Sequence, residues 1–151
     1  MKTGYHAHPK PPHGTRSQAG SLTVEMALVL PILLSLVLGI IEIANIMRIQ
    51  LTLDSAVTAI AHDAAMHETT QGSAEQYMNA NGLLPGVQQS PAAPTPVLTL
   101  TPATTTTCKA TPCTPYEVKL TYNYQAMTAL MQPFFDNIKL TASARNISEP
   151  W

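Results

Sequence analysis

From Met26 to Ile41 the chain carries no charged side chain, and this run constrains everything around it. The wider apolar stretch from Leu22 to Met47 is interrupted only by Glu25 and Glu42. A bilayer core takes roughly 17–25 mostly apolar helical residues at about 1.5 Å each. The stretch therefore reads as a membrane-spanning helix; the core helix of a soluble domain is the competing reading. Charges at membrane depth are costly, so Glu25 and Glu42 are expected at an interface, in a pair, or in a functional role.

Charge sets an orientation. Lys2, Lys10 and Arg16 precede the run, and no Asp or Glu occurs before Glu25. Beyond residue 20, five Lys and Arg stand against nine Asp and Glu, a net of about −4. Basic flanks stay cytoplasmic, which places residues 1–20 inside and the C-terminal part outside. No convincing A-x-A site follows Ile41, where the helical pattern simply continues, so an uncleaved anchor, or one cleaved before the run, fits better than a secretory signal. The near-zero overall charge does not suggest a nucleic-acid binder. His6, His8 and His13 lie among Pro and Gly in a tail too polar to offset its ordering entropy; a flexible tail competes there with a metal site.

Beyond Arg48 the pattern turns amphipathic. Ile46, Gln50, Leu53, Val57, Ile60 and Ala64 recur at spacings of four and three, giving one helical stripe, with Thr52, Asp54, Ser55, Thr58, His62 and Asp63 around it. One helix from Ser21 to Met66 would be about 70 Å long, so its second half must leave the bilayer. Pro31 should loosen or kink its first turns. Gly39 leaves a notch that either admits another helix or is a packing accident.

Ser73-Ala-Glu-Gln76 predicts a capping box for a short helix from Ala74 to Asn79, stopped by Asn81-Gly82. Residues 85–96, rich in Pro, Gln and Ala, read as a loop. Three strands are predicted after it: Val97 to Thr101, then Tyr116, Val118, Leu120, Tyr122 and Tyr124 alternating with polar residues, then Ile138, Leu140, Ala142 and Ala144 likewise. The fold class is α+β, with the helix packed on a small antiparallel sheet. Leu53, Val57 and Ile60 should meet Val118, Leu120 and Leu140 in one core, because isolated hairpins are marginal.

Cys108 and Cys113 are the only cysteines, without the Cys-x-x-Cys spacing or second pair of a zinc site. Outside the cytoplasm a disulfide across the turn between the first two strands is the natural reading, against two free thiols. Among motifs that carry chemistry, there is no phosphate loop, His-Glu-x-x-His or Gly-x-Ser-x-Gly. His62 and His67 are five apart, about 140° around a helix, so with Asp63 and Glu68 they read as solvated positions and not a ligand set. Thr104 to Thr107 read as a solvated loop tip, with glycan attachment as the alternative. Asn146-Ile147-Ser148 matches an N-glycosylation pattern that is frequent by chance. No catalytic, cofactor-binding or metal-binding residue is assigned.

The strongest site signal is Gly20-Ser21 with Glu25 at the fifth position after the junction. A basic leader, Gly, four residues, Glu and an apolar helix resemble the processing site of type IV prepilins. The resemblance implies a cytoplasmic-side peptidase cutting after Gly20, and Glu25 paired with the new Ser21 ammonium of a neighbouring subunit. Gly20 through Leu34, then Leu38-Gly-Ile-Ile-Glu-Ile-Ala-Asn45, then Leu51-Thr-Leu-Asp-Ser-Ala56, resemble the TadE-like family of tight-adherence (Flp) pilus proteins. The likeness covers about residues 20–68, and more loosely 116–149; Met26 replaces the aromatic usual after the Glu.

That resemblance implies a non-enzymatic minor pilin or pseudopilin that assembles or primes a Flp-type adhesive pilus. Its partners would be the membrane, other pilins, assembly platform proteins and a prepilin peptidase, with no nucleic acid, small-molecule substrate or cofactor. The expected division is a leader at 1–20, a transmembrane helix at 21–47 and an extracytoplasmic pilin-like domain at 48–151. Within the last, the helix continues over 48–67, loops occupy 69–96 and the sheet 97–149. The implied location is the bacterial inner membrane, single pass, N-terminus cytoplasmic, with the C-terminal domain periplasmic or in an extracellular pilus. An unprocessed, membrane-tethered binding or scaffold module is the alternative.

Overall fold

The protein is seen here as a computed structural model that describes residues 19–87, 94–106, 108 and 113–148, with the backbone alone at 19–21. The basic and His-containing tail at 1–18, the loop residues 88–93, Thr107, residues 109–112 between the two cysteines and the C-terminal residues 149–151 lie outside it. Helix α1 runs unbroken from Ala19–Met66, 48 residues with Pro31 inside. The chain divides into two compact units, Met1–Leu34 and Ser35–Trp151, and α1 contributes to both.

In the first unit every described side chain from Leu22 to Leu34 is exposed. The helix from Leu22 is long and apolar enough to cross a membrane, and only 6% of its most apolar window is buried. A soluble core helix would cover that surface. This one leaves it bare, as a single-pass anchor does.

In the second unit α1 becomes the floor of a sheet. Strands β1 (Val97–Thr101), β2 (Pro115–Tyr124) and β3 (Ile138–Ile147) form an antiparallel sheet in the order β1-β2-β3. The period-two pattern is realised: Leu98, Leu100, Tyr116, Val118, Leu120, Tyr122, Tyr124, Leu140 and Ala142 face inward and are buried. From α1, Ile49, Leu53, Ala56, Val57, Ile60, Ala61, Ala64 and Ala65 join them in one apolar core. Leu53, Val57, Ile60, Val118 and Leu120 are each at most 2% exposed, and Leu140 8%. The fold class is the expected α+β arrangement of a long helix on a small antiparallel sheet.

Helix α2 (Gln71–Ala80) begins three residues earlier than its sequence signal. Thr70 is the N-cap, and Ser73 reciprocates as the third helical residue, so the box is Thr70/Ser73 and not one starting at Ser73. A Ser hydroxyl can return the bond to the cap N–H as a Glu or Gln side chain does, which the search for the usual S/T-x-x-E/Q pattern overlooks. The stop behaves as expected. Gly82 has φ +57°, its N–H bonds the Asn79 carbonyl, and Leu83 N–H bonds that of Met78, a Schellman closure.

Gln71 also closes a sheet edge. Its side-chain amide donates to the Leu98 carbonyl at 2.7 Å and accepts from the Leu100 N–H at 2.8 Å, standing in for a neighbouring strand on β1. Between β2 and β3, the chain turns through a helical turn, α3 (Gln132–Phe135). Asn137, at φ +62°, bonds the Tyr124 carbonyl and starts the return strand; Asn tolerates this left-handed backbone.

Thr105 corrects one expectation. It is 2% exposed, and its N–H and hydroxyl engage Thr69, so this part of the Thr-rich segment is not a solvated tip or an acceptor for glycans. An isolated bridge between Thr70 and Thr104 draws the segment onto the start of α2, which sequence periodicity cannot register.

Candidate functional site

Two groups of residues hold the functional interest, one in each unit. In the first, Gly20 and Ser21 lie in the first turn of α1, and Glu25 follows one turn on. Glu25 is exposed on an otherwise apolar surface, and no partner for it occurs among the described residues. A carboxylate on the bare face of an apolar helix is stable in lipid only with a partner from elsewhere.

The second group is built around Glu42, which is 1% exposed. It lies four residues before Ile46 and so extends the buried stripe of α1 by one step toward the N-terminus. The Tyr124 hydroxyl, at the last position of β2, donates to Glu42 Oε2. The Thr128 N–H donates to Oε1 at 3.1 Å, and the Thr128 hydroxyl lies 3.4 Å from the same oxygen. Asn45 Nδ2 donates to the Tyr124 hydroxyl oxygen at 3.1 Å. Both carboxylate oxygens are thus satisfied, one from the end of β2 and one from the connection that follows it. Among the described residues, no buried side-chain nitrogen or oxygen lacks a partner.

Burial first, and then the hydrogen bond to Glu42, push the Tyr124 phenol up to about 12. Burial raises Tyr122 as well. A phenol this reluctant to ionise remains a donor throughout the physiological range, so its bond to Glu42 fastens β2 to α1. Two more tyrosines of the same strand face do the same. Tyr122 donates to the Val87 carbonyl at 3.0 Å, and Tyr116 to that of Ala61.

The sequence marked Glu42 as an interior charge needing an explanation but did not supply its partners. The available signal was its four-residue spacing from Ile46, together with three tyrosines on one strand face.

The remaining candidates take simple places. His67 Nδ1 lies 3.4 Å from Asp63 one turn away, while His62 and Glu68 are exposed. No group of three or more potential metal ligands occurs among the described residues. Cys108 and Cys113 have sulfurs within bonding distance and Cα atoms 5.2 Å apart. Asn146 is exposed on β3 and Ser148 buried. An open groove of about 520 Å³ lies between α2 and β1, lined by Met78, Leu84, Val97 and Leu98 among others. Its ionisable lining residue, Glu75, is bonded to Gln71, and no set of converging reactive groups faces it.

Residues 20–62 match the family model described as TadE-like protein, in agreement with the likeness seen in the motifs of this segment. No curated protein and no solved structure matches the chain.

Proposed function

We propose that this protein is a TadE-like minor pilin or pseudopilin that takes part in assembling or priming a Flp-type adhesive pilus. It acts through its helix and performs no catalysis. A prepilin peptidase cuts after Gly20, leaving Ser21 as the mature N-terminus on the cytoplasmic face of the inner membrane. The C-terminal unit lies outside, in the periplasm or in the pilus, and its partners are other pilins and the assembly platform. The observation that carries this reading is Glu25: a single carboxylate, exposed on a bare apolar helix, one turn after a Gly-Ser junction. The TadE-like match starting at residue 20 supports the same junction.

The energetic logic is local. Alone in hydrocarbon, Glu25 costs several kcal/mol. A Ser21 ammonium from an adjacent subunit offsets that cost only when the two helices are correctly staggered, so the pair couples membrane storage to assembly register. Mass spectrometry of the mature N-terminus, with a pilus count beside it, tests the reading. Gly20→Ala should leave a precursor about 20 residues longer. Glu25→Val should be cleaved and inserted but fail to assemble. A wild-type chain that keeps its first residue in piliated cells, or normal pili with Glu25→Val, would leave an unprocessed tethered module in its place.

A further inference from the structure

The connection between β2 and β3 has a composition that a water-exposed loop does not need. From Gln125 to Phe135 it contains no Asp, Glu, Lys or Arg. Within it Met127 is 57% exposed, Leu130 55% and Phe134 76%. Leu130 and Phe134 are four apart across the turn that leads into α3, where Met131 and Phe135 supply the inward face. The segment thus carries apolar side chains on both sides: one face closes over the core, and the other is covered by nothing among the described residues. Asp136, the first charge after it, turns back to accept the Ala126 N–H at 2.8 Å.

Its position gives this face an occupant. Thr128 is bonded to Glu42, so the loop is pinned beside the turn of α1 that carries Ile41 and Ile43, which are 50% and 45% exposed. Ile40 and Met47 are exposed on the same part of the helix, at 59% and 62%. We infer that Met127, Leu130 and Phe134 form a second membrane contact, seated in the outer-leaflet interface next to the point where α1 leaves the bilayer. Interfacial elements bury an apolar face about 5–10 Å into the headgroup and acyl boundary. An uncharged loop fixed at that depth gains from such burial, whereas a charged one would be expelled. The Glu42–Tyr124–Thr128 cluster then holds loop and helix at one level, so the outer unit has two attachments and a restricted tilt on the membrane. The observations favour lipid over a second copy because Thr128 bonds the loop to the stretch of α1 on which Ile40, Ile41, Ile43 and Met47 are likewise exposed and apolar.

This inference rests on α1 being the membrane anchor, and the test separates the two. The full chain, with Trp151→Phe removing its single natural tryptophan, is reconstituted in phosphatidylcholine–phosphatidylglycerol vesicles carrying nitroxide at a shallow or a deep chain position. One variant adds Phe134→Trp, a second Leu33→Trp; both native residues are exposed, so neither change disturbs the core. Expected is quenching of the Leu33→Trp probe by the deep label, and blue-shifted emission from the Phe134→Trp probe, quenched more by the shallow label. A quenched Leu33→Trp probe beside an unquenched, water-like Phe134→Trp probe overturns the loop contact while leaving the anchor. An unquenched Leu33→Trp probe overturns both. Efficient disulfide crosslinking of Phe134→Cys between copies, without quenching at 134, assigns the face to subunit packing instead.

Discussion

Tyr124 donates its hydroxyl to Glu42 from 82 residues away, tying the end of β2 to α1 at the turn where the buried stripe begins. At the other end of the same strand, Tyr116 reaches the carbonyl of Ala61. Strand and helix run in opposite directions between these two fasteners. Eight strand steps cover about 26 Å and nineteen helical steps about 28 Å. The match in length lets one strand be fixed to the helix at both ends without bending either element.

Removing the first fastener should therefore loosen one end of the sheet. Tyr124→Phe leaves Glu42 buried with one donor fewer and should cost about 1–3 kcal/mol. Thermal unfolding of the full chain in detergent, followed by near-ultraviolet circular dichroism, reads the loss. An unchanged midpoint would mean that the Glu42 contact contributes nothing.

The same pair predicts a pH dependence with a definite sign. The folded Tyr124 phenol sits at about 12 against an ordinary value of 10.0. Below pH 10 both folded and unfolded chains keep the proton, so the contribution is fully present. Between about pH 10 and 12 the unfolded chain loses its proton first, and stability falls with rising pH, by at most about 3 kcal/mol. Tyr124→Phe should make this alkaline limb shallower, leaving the part that Tyr122, also raised by burial, contributes; an equally steep limb in the variant would assign it to other groups.

Leu120 is fully buried, whereas Leu51, on the helix, is 70% exposed. Leu120→Ala should cost about 2–5 kcal/mol through lost burial and the cavity left behind. Leu51→Ala should leave the unfolding midpoint of the outer unit unchanged. Equal effects from the two would show that helix and sheet do not share one core.

Gln71 occupies the outer side of β1 with both atoms of its amide. Gln71→Ala should cost about 1–3 kcal/mol, because the Leu98 carbonyl and Leu100 N–H lose their partner. It should also promote association through the freed edge. Sedimentation of the variant in detergent, compared with the unchanged chain, checks the second effect.

Cys108 and Cys113 should be unreactive toward a thiol probe in protein isolated from the envelope without reductant. Closing so short a loop stabilises by only about 2 kcal/mol, so reduction should lower the midpoint modestly and leave the fold intact. Full labelling of both cysteines in native protein would remove the bridge.

Much of this protein is decided by the order of its residues alone. A run without charge, then a stripe at spacings of three and four, then two strands of strict alternation, leave few ways to fold. These signals are local: each residue's face follows from its neighbours' spacing, so α1, the three strands and the core of Leu53, Val57, Ile60, Val118 and Leu120 were legible before any contact was known. The proposed processing junction at Gly20 and Ser21, with Glu25, is equally local, because a peptidase acting there would read consecutive residues. What Glu42 does was settled elsewhere. Its partners Tyr124 and Thr128 come into reach only when a strand of the right length is laid antiparallel on the helix, and Thr105 is buried only because it pairs with Thr69. Hydrogen bonds across 36 or 82 residues leave no period in the sequence. They depend on where packed elements end, and that is set by the tertiary structure.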